Sequence, residues 1–217
     1  MTLMSLAKRD FDNIWHPFTQ MKTAPLSTPI VKGEGSWLYD DQGKAYLDGI
    51  SSWWVNLHGH GHPYIAEQVA EQFKTLEHVI FAGFTHPPAV QLSEQLLQRL
   101  PGSQDKVFFS DNGSTAVEVG LKMAIQYWYN QGWKQKRKIL AFNNSYHGDT
   151  FGAMAVSERD AFTAPFHPHL FEVTYIDPPL PGHEEASLQQ LKTALSAADD
   201  YAGFIFEPLV QGVGGMA

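Results

Sequence analysis

The stretch Ser110-Asp111-Asn112-Gly113-Ser114-Thr115 is the part of this chain most open to a chemical reading. It joins a short apolar run, Val107-Phe108-Phe109, to an apolar-periodic segment from Ala116 to Trp128. That order predicts a strand, a small polar turn and a helix. Such a turn presents N–H groups and hydroxyls at a helix N-terminus, where the dipole favours a phosphate. Gly113 lets the backbone approach a ligand closely. Ser114 or Thr115 is a candidate N-cap, and Glu118 places negative charge in the first turn. An ordinary capped helix after a strand would read the same way from this motif alone.

Two further segments point to the same edge. Tyr146-His147-Gly148-Asp149 follows the apolar run Ile139–Phe142, and Glu207 follows Phe204–Phe206. In an open parallel α/β sheet, ligands bind outside the carboxyl ends of the strands. Gly113 and Ser114, Tyr146 and His147, and Glu207 all fall there. A phosphate cup, an aromatic ring and a carboxylate in one place suit a planar phosphorylated cofactor. Each residue alone is equally a turn aromatic, a loop histidine or a loop carboxylate.

Other residues carry weaker signals. The run His58-Gly59-His60-Gly61-His62 has alternate histidines, but its glycines and Pro63 argue for a loop, and no acidic or cysteine partner completes a metal set nearby. No metal is expected. Ser51-Ser52-Trp53-Trp54 sets two tryptophans side by side, which cannot both face one core if the segment is extended. Trp15-His16-Pro17-Phe18 is a second aromatic cluster. Gly212-x-Gly214-Gly215 lacks the strand and helix setting of a nicotinamide-binding loop.

The elements that must position these residues follow from periodicity. Residues 1–29 read as irregular, broken by Pro17, Pro25 and Pro29. Trp37–Tyr39 and Ala45–Leu47 flank the turn at Asp40–Gly43 and read as antiparallel strands. Helices are predicted over 63–77, 88–100, 114–131 and 185–198. Strands are predicted at Val107–Phe109, Ile139–Phe142, Val173–Ile176 and Phe204–Phe206. Strands alternating with helices imply a mostly parallel sheet covered on both faces.

Composition bounds the rest. The 217 residues are 43% hydrophobic, enough for a substantial core. A net charge of −8 argues against a nucleic-acid partner. The chain has no cysteine, so neither a disulfide nor a thiolate site exists. No apolar run reaches membrane-spanning length and the N-terminus lacks a signal-type apolar stretch, so a cytoplasmic protein is the default expectation.

Taken together, the segments resemble the class III, fold-type-I aminotransferases that use pyridoxal 5'-phosphate. The resembling strings are Ile14–Met21, Asp48–Trp54, His78–His86, Asp111–Glu118, Tyr146–Met154 and Phe206–Gly212, in the family's order across nearly the whole chain. The phosphate-cup and Tyr-His-Gly strings are general to the class. The Trp-His-Pro and Ser-Ser-Trp-Trp strings resemble those members that aminate 8-amino-7-oxononanoate to 7,8-diaminononanoate in biotin synthesis, with S-adenosylmethionine as amino donor.

The resemblance implies roles. Gly113 and Ser114 would bind the cofactor phosphate, and Tyr146 would stack on the pyridine ring. His147 and Glu207 would support the cofactor region. Trp53, Tyr146 and Phe18 would bound the substrate site. Many members carry tyrosine where this chain has Phe18, which removes one polar substrate contact. The resemblance also implies a truncated α/β fold. Residues 1–62 would belong to the small domain, and 63–217 would be the first part of the large cofactor-binding domain. The Schiff-base lysine, which also moves the proton, and the aspartate at the pyridine nitrogen are expected beyond the equivalent of Ala217. The isolated chain is therefore expected not to transaminate, and the longer parent is expected to be a homodimer. Two alternatives stay open: another class III aminotransferase acting on ω-amino acids or diamines, and a non-catalytic module that binds a cofactor or a partner.

Overall fold

The computed structural model describes residues 4–213. Gly214, Gly215, Met216 and Ala217, at the end of the glycine-rich loop, lie outside the described residues. The chain divides into two compact units, Met1–Gln95 and Leu96–Ala217.

The first unit opens with helix α1, Leu6–Asn13, where the sequence reads as irregular. Ser5 caps it by accepting the Lys8 N–H at 3.3 Å, and Lys8 pairs with Asp12 one turn on. Three antiparallel strands follow: β1 (Ile30–Glu34), β2 (Trp37–Asp40) and β3 (Ala45–Leu47), in the order β1-β2-β3. Asp40 closes the β2–β3 turn, its carboxylate accepting the N–H groups of Gln42 and Lys44 and the Tyr46 hydroxyl. The turn α2, Ser51–Trp54, comes next, and then the amphipathic helices α3 (Pro63–Thr75) and α4 (Pro87–Arg99). Helix α3 begins on Pro63, whose missing N–H costs nothing at a first helical position.

The second unit is a small parallel α/β layer. It contains α5 (Gly113–Asn130), β4 (Lys138–Phe142), α6 (Phe151–Ala155), a 3-10 turn (Ala164–His169), β5 (Val173–Ile176), α7 (Glu184–Ala197) and β6 (Tyr201–Ile205). The sheet order is β5-β4-β6, and both pairings are parallel. As the middle strand, β4 is buried on both faces, and Ile139, Leu140, Ala141 and Phe142 are each at most 8% exposed. Their continuous apolar run is what a two-sided parallel strand requires. Ile139 and Ala141 pack with Leu121, Val117 and Val156 on the α5 face. Leu140 and Phe142 pack with Ile176, Leu191 and Ala194 on the α7 face. Burying Ile139 and Leu140 stabilises the layer by roughly 1.5–3 kcal/mol each. The doubly covered parallel sheet is the one expected from the sequence.

The expected strand at Val107–Phe109 does not form; the segment joins no ladder and lies outside the regular elements. Apolar propensity makes a strand only where a neighbour pairs with it, and the three strands here are β5, β4 and β6. Among the described residues no helix is long and apolar enough to cross a membrane.

Candidate functional site

The candidate residues of the second unit gather at the carboxyl edge of the β5-β4-β6 sheet. Helix α5 begins at Gly113, and its cap is Asn112 rather than Ser114 or Thr115. The Asn112 side chain accepts the Thr115 N–H at 2.9 Å, and the Thr115 hydroxyl accepts the Asn112 N–H at 3.1 Å. This reciprocal box satisfies two donors. It leaves the N–H groups of Gly113 and Ser114, the first two of the helix, unclaimed by the cap. A Cβ built on Gly113 would meet nothing within 4 Å, so the helix start faces open space. Gly113 does not adopt a positive φ.

Ser114 has a second task. Its hydroxyl accepts the Asp149 N–H at 3.2 Å, which ties the loop after β4 to the start of α5. Gly148 makes this approach possible. Its φ is +128°, and a Cβ on it would fall 2.1 Å from Ser114 Oγ. One helical turn on, Glu118 performs a similar join. Its Oε1 accepts the N–H groups of Gly152 at 2.7 Å and Ala153 at 3.3 Å. Glu118 therefore serves the N-terminus of α6 and not, as the sequence suggests, the first turn of its own helix. Burial pushes its carboxyl up, but the Thr150 hydroxyl and these two N–H bonds outweigh that and hold it below the ordinary value.

Tyr146 stands on the loop so anchored. Its N–H donates to Glu207 Oε1 at 2.9 Å, and its hydroxyl donates to Asp149 Oδ2 at 2.8 Å. Burial, then the bond to Asp149 and that residue's charge, push the phenol up to about 12, so it stays a protonated donor. The other Glu207 oxygen accepts the Gly212 N–H at 2.9 Å. Glu207 thus joins the β4 and β6 loops through their backbones. Buried Gln211 adds a bond from its Nε2 to the Asn143 carbonyl at 2.8 Å. The His147 N–H donates to Ser157 Oγ at 2.8 Å. Burial lowers its imidazole pKa, partly offset by the Glu207 charge. Its Nε2 is buried with no hydrogen-bond partner among the described residues.

The sequence-predicted residues Gly113, Ser114, Tyr146, His147 and Glu207 are therefore joined by a short chain of contacts. Asn112, Glu118, Gly148, Asp149 and Gln211, which complete that chain, were not singled out by sequence reasoning as site residues. Only the small polar character of the Asn112–Thr115 turn and the glycine of Tyr-His-Gly-Asp hinted at them. Lys138 opens β4 at its amino end and pairs with Asp200 at 2.9 Å, Lys136 pairs with Asp199, and Lys122 is exposed on α5.

The first unit holds the other two candidates. Phe18 and Trp53 form a tilted ring pair with centroids 5.8 Å apart. Both are exposed, at 76% and 59%, and Trp54 is exposed at 65%. Residues Ser51, Ser52, Trp53 and Trp54 all have positive φ, so α2 is a single left-handed helical turn. It is closed by Trp54 N–H to Ile50 O at 2.9 Å and Val55 N–H to Ser51 O at 3.0 Å. Non-glycine residues pay about 1–2 kcal/mol each for this conformation. The turn explains how two adjacent tryptophans can both avoid a core. Among the described residues no group of three or more histidines and carboxylates is placed to hold a metal ion.

Comparison with known proteins follows this geometry. A family model described as aminotransferase class-III matches residues 18–217. An adenosylmethionine-8-amino-7-oxononanoate aminotransferase from Synechococcus elongatus is 52% identical over 212 residues, covering 94% of this chain and 50% of that protein. The crystal structure of an adenosylmethionine-8-amino-7-oxononanoate aminotransferase from Methanocaldococcus jannaschii superposes with a TM-score of 0.90 at 35% identity, covering 97% of this chain and 48% of that one. An omega transaminase from Pseudomonas jessenii in complex with PMP gives a TM-score of 0.89 at 27% identity, covering 98% of this chain and 50% of that one. The chain spans about half the length of the curated relatives it matches.

Proposed function

Since the chain belongs to the class-III aminotransferase family, we propose that the protein containing it makes 7,8-diaminononanoate from 8-amino-7-oxononanoate, with S-adenosylmethionine as amino donor and pyridoxal 5'-phosphate as cofactor. One observation carries the reading. The start of α5, open at Gly113, is joined through Gly148 and Ser114 to the loop that presents Tyr146. The shared names of relatives that cover nearly the whole chain supply the substrates.

The residues present fit the cofactor. The uncapped N–H groups of Gly113 and Ser114 suit a phosphate, and a Cβ at Gly113 would fill open space that a phosphate needs. The buried, unpartnered Nε2 of His147 is a further polar atom for a ligand to satisfy. When bound, the cofactor supplies the carbonyl that takes up an amino group and the ring that draws off electrons. The chain's own residues bind and orient. Gly113 and Ser114 would hold the phosphate through their N–H groups. Tyr146 offers its ring face, with Asp149 fixing the phenol and Glu207 fixing the backbone beneath it. Phe18 and Trp53 provide an apolar surface for the alkyl part of the substrate. Proton transfer needs a lysine; Lys136 and Lys138 are paired with Asp199 and Asp200, Lys122 is exposed on α5, and none of Lys106, Lys122 and Lys138 sits in the family's lysine motif. In this reading residues 1–62 belong to the small domain and 63–217 to the cofactor-binding domain of a cytoplasmic homodimer.

A second reading, an aminotransferase of ω-amino acids or diamines, draws support from Phe18, which lacks a hydroxyl for a polar substrate. A panel of donors and acceptors on the full-length protein separates the two. Turnover of 8-amino-7-oxononanoate well above every other acceptor supports the first reading. Preference for a simple ω-amino acid supports the second. Cofactor binding without turnover of any pair supports a non-catalytic module.

A further inference from the structure

The run His58–His62, with its alternating glycines, has no part in the function proposed above, yet its middle histidine is closely held. His60 and Gly35 exchange backbone hydrogen bonds at 3.0 and 2.8 Å. The His60 side chain lies over Gly33, where a Cβ would meet its own Cβ at 2.7 Å. Gly59, at φ +82°, passes so near Gly35 that a Cβ there would lie 3.1 Å from the Gly35 Cα. These glycines fix the imidazole against the β1–β2 hairpin. His60 Nε2 then donates to Asp48 Oδ2 at 2.8 Å. The same oxygen accepts the Ser52 hydroxyl at 2.8 Å, and Asp48 Oδ1 accepts the Ser52 N–H at 3.0 Å. The side chains of Asp48 and His60 are 6% and 14% exposed, while the tryptophans that follow are open to solvent.

The target of this clamp is the left-handed turn. Four successive non-glycine residues, with φ of 50°, 47°, 58° and 65°, stay in that region only if their surroundings insist on it. Both Asp48 oxygens fall on Ser52, inside the turn and directly before Trp53. A relaxed turn would carry the Trp53 ring away from Phe18.

We propose that His60, acting through Asp48 and Ser52, is a positioning residue that keeps the Ser51–Trp54 turn left-handed and so holds Trp53 in place for the keto-acid acceptor. The proposal rests on the placement of Trp53 at the substrate site.

The test uses the full-length protein loaded with pyridoxal phosphate and compares wild type, His60→Ala, His60→Gln and Ser52→Ala. Glutamine's amide can replace the Nε2 donor. Two readouts are taken: amide hydrogen exchange of the peptide containing Ser51–Val55, and acceptor KM against kcat. The expected result for His60→Ala is faster exchange confined to that peptide, with an acceptor KM raised about five-fold and kcat changed less than about two-fold, the loss of one hydrogen-bonded contact. His60→Gln should restore both. If His60→Ala does not fold, Ser52→Ala decides by the same readouts. Unchanged exchange in the turn overturns the proposal. Faster exchange with unchanged acceptor KM supports the clamp but overturns the assignment of Trp53 to the acceptor. If the wild type turns over no keto acid, the functional reading fails, and the exchange measurement still decides the clamp.

Discussion

Gly148 lies so close to Ser114 that a Cβ on the glycine would fall 2.1 Å from the serine Oγ and 2.9 Å from its Cα. The two residues are far apart in sequence, yet their approach allows the Asp149 N–H to reach the Ser114 hydroxyl. The proposed phosphate cup and the proposed ring platform are thereby joined directly. Gly152 and Glu118 repeat the arrangement one turn further along α5, where a Cβ would meet Glu118 Oε2 at 2.3 Å.

Gly148→Ala therefore carries two penalties, a clash that includes Ser114 backbone and a side chain at φ +128°. The expected loss is about 1–3 kcal/mol of stability, read by urea denaturation. Cofactor affinity should fall with it, read by absorbance titration with pyridoxal phosphate.

Glu118→Ala leaves the Gly152 and Ala153 N–H groups without their acceptor. The expected cost is that of a lost helix cap, about 0.5–2 kcal/mol. The carboxyl is held below its ordinary value in the folded chain. Its contribution is thus present above the unfolded value and fades as pH falls through the folded one. Denaturation from neutral to acid pH should show the difference between wild type and Glu118→Ala shrinking.

Tyr146→Phe removes the bond to Asp149 but keeps the ring. Cofactor affinity should fall by less than about ten-fold, and by more in Tyr146→Ala. The phenol sits at about 12 in the folded protein, raised by burial and then by Asp149. Its stabilising contribution is complete below the unfolded value near 10 and is lost as pH rises through 12. A wild-type against Tyr146→Phe comparison in alkali checks this.

Asp48 shows the opposite sign. The N–H and hydroxyl of Ser52, followed by His60, hold its carboxyl at about 2. The left-handed turn should keep its protection above about pH 4 and lose it only as pH falls toward 2. Hydrogen exchange of the Ser51–Val55 amides across that range measures it.

Phe18→Ala should separate stability from substrate binding. The ring pair with Trp53 is largely exposed, so folding should lose no more than about 1 kcal/mol. Acceptor KM should rise while donor KM stays within about two-fold.

The regular elements were largely legible because they rest on local periodicity. The expected bounds of β5 are those observed, and α3, α4, α5 and α7 begin and end within a residue or two of expectation. β4 was recognisable because both its faces are buried. Helix α1 leaves no such signal, since it buries no residue and relies on a serine cap and one ion pair. Val107–Phe109 has strand-like residues without a ladder. The cap of α5 is ambiguous in the sequence because Asn112, Ser114 and Thr115 are all competent cap residues. The proposed site residues stood out by type, but the contacts that gather them did not. Ser114 meets Asp149 and Glu118 meets Gly152 across more than thirty residues, and no sequence period encodes such pairs. The four left-handed residues at Ser51–Trp54 escape sequence rules altogether, since their conformation is imposed from Asp48 and His60.

The most direct test of the proposed function is mass spectrometry of products formed by the full-length protein with pyridoxal phosphate, S-adenosylmethionine and 8-amino-7-oxononanoate. The account predicts 7,8-diaminononanoate, formed in proportion to enzyme and strongly reduced in Tyr146→Ala. Absence of the diamine, with other keto acids aminated instead, would contradict it.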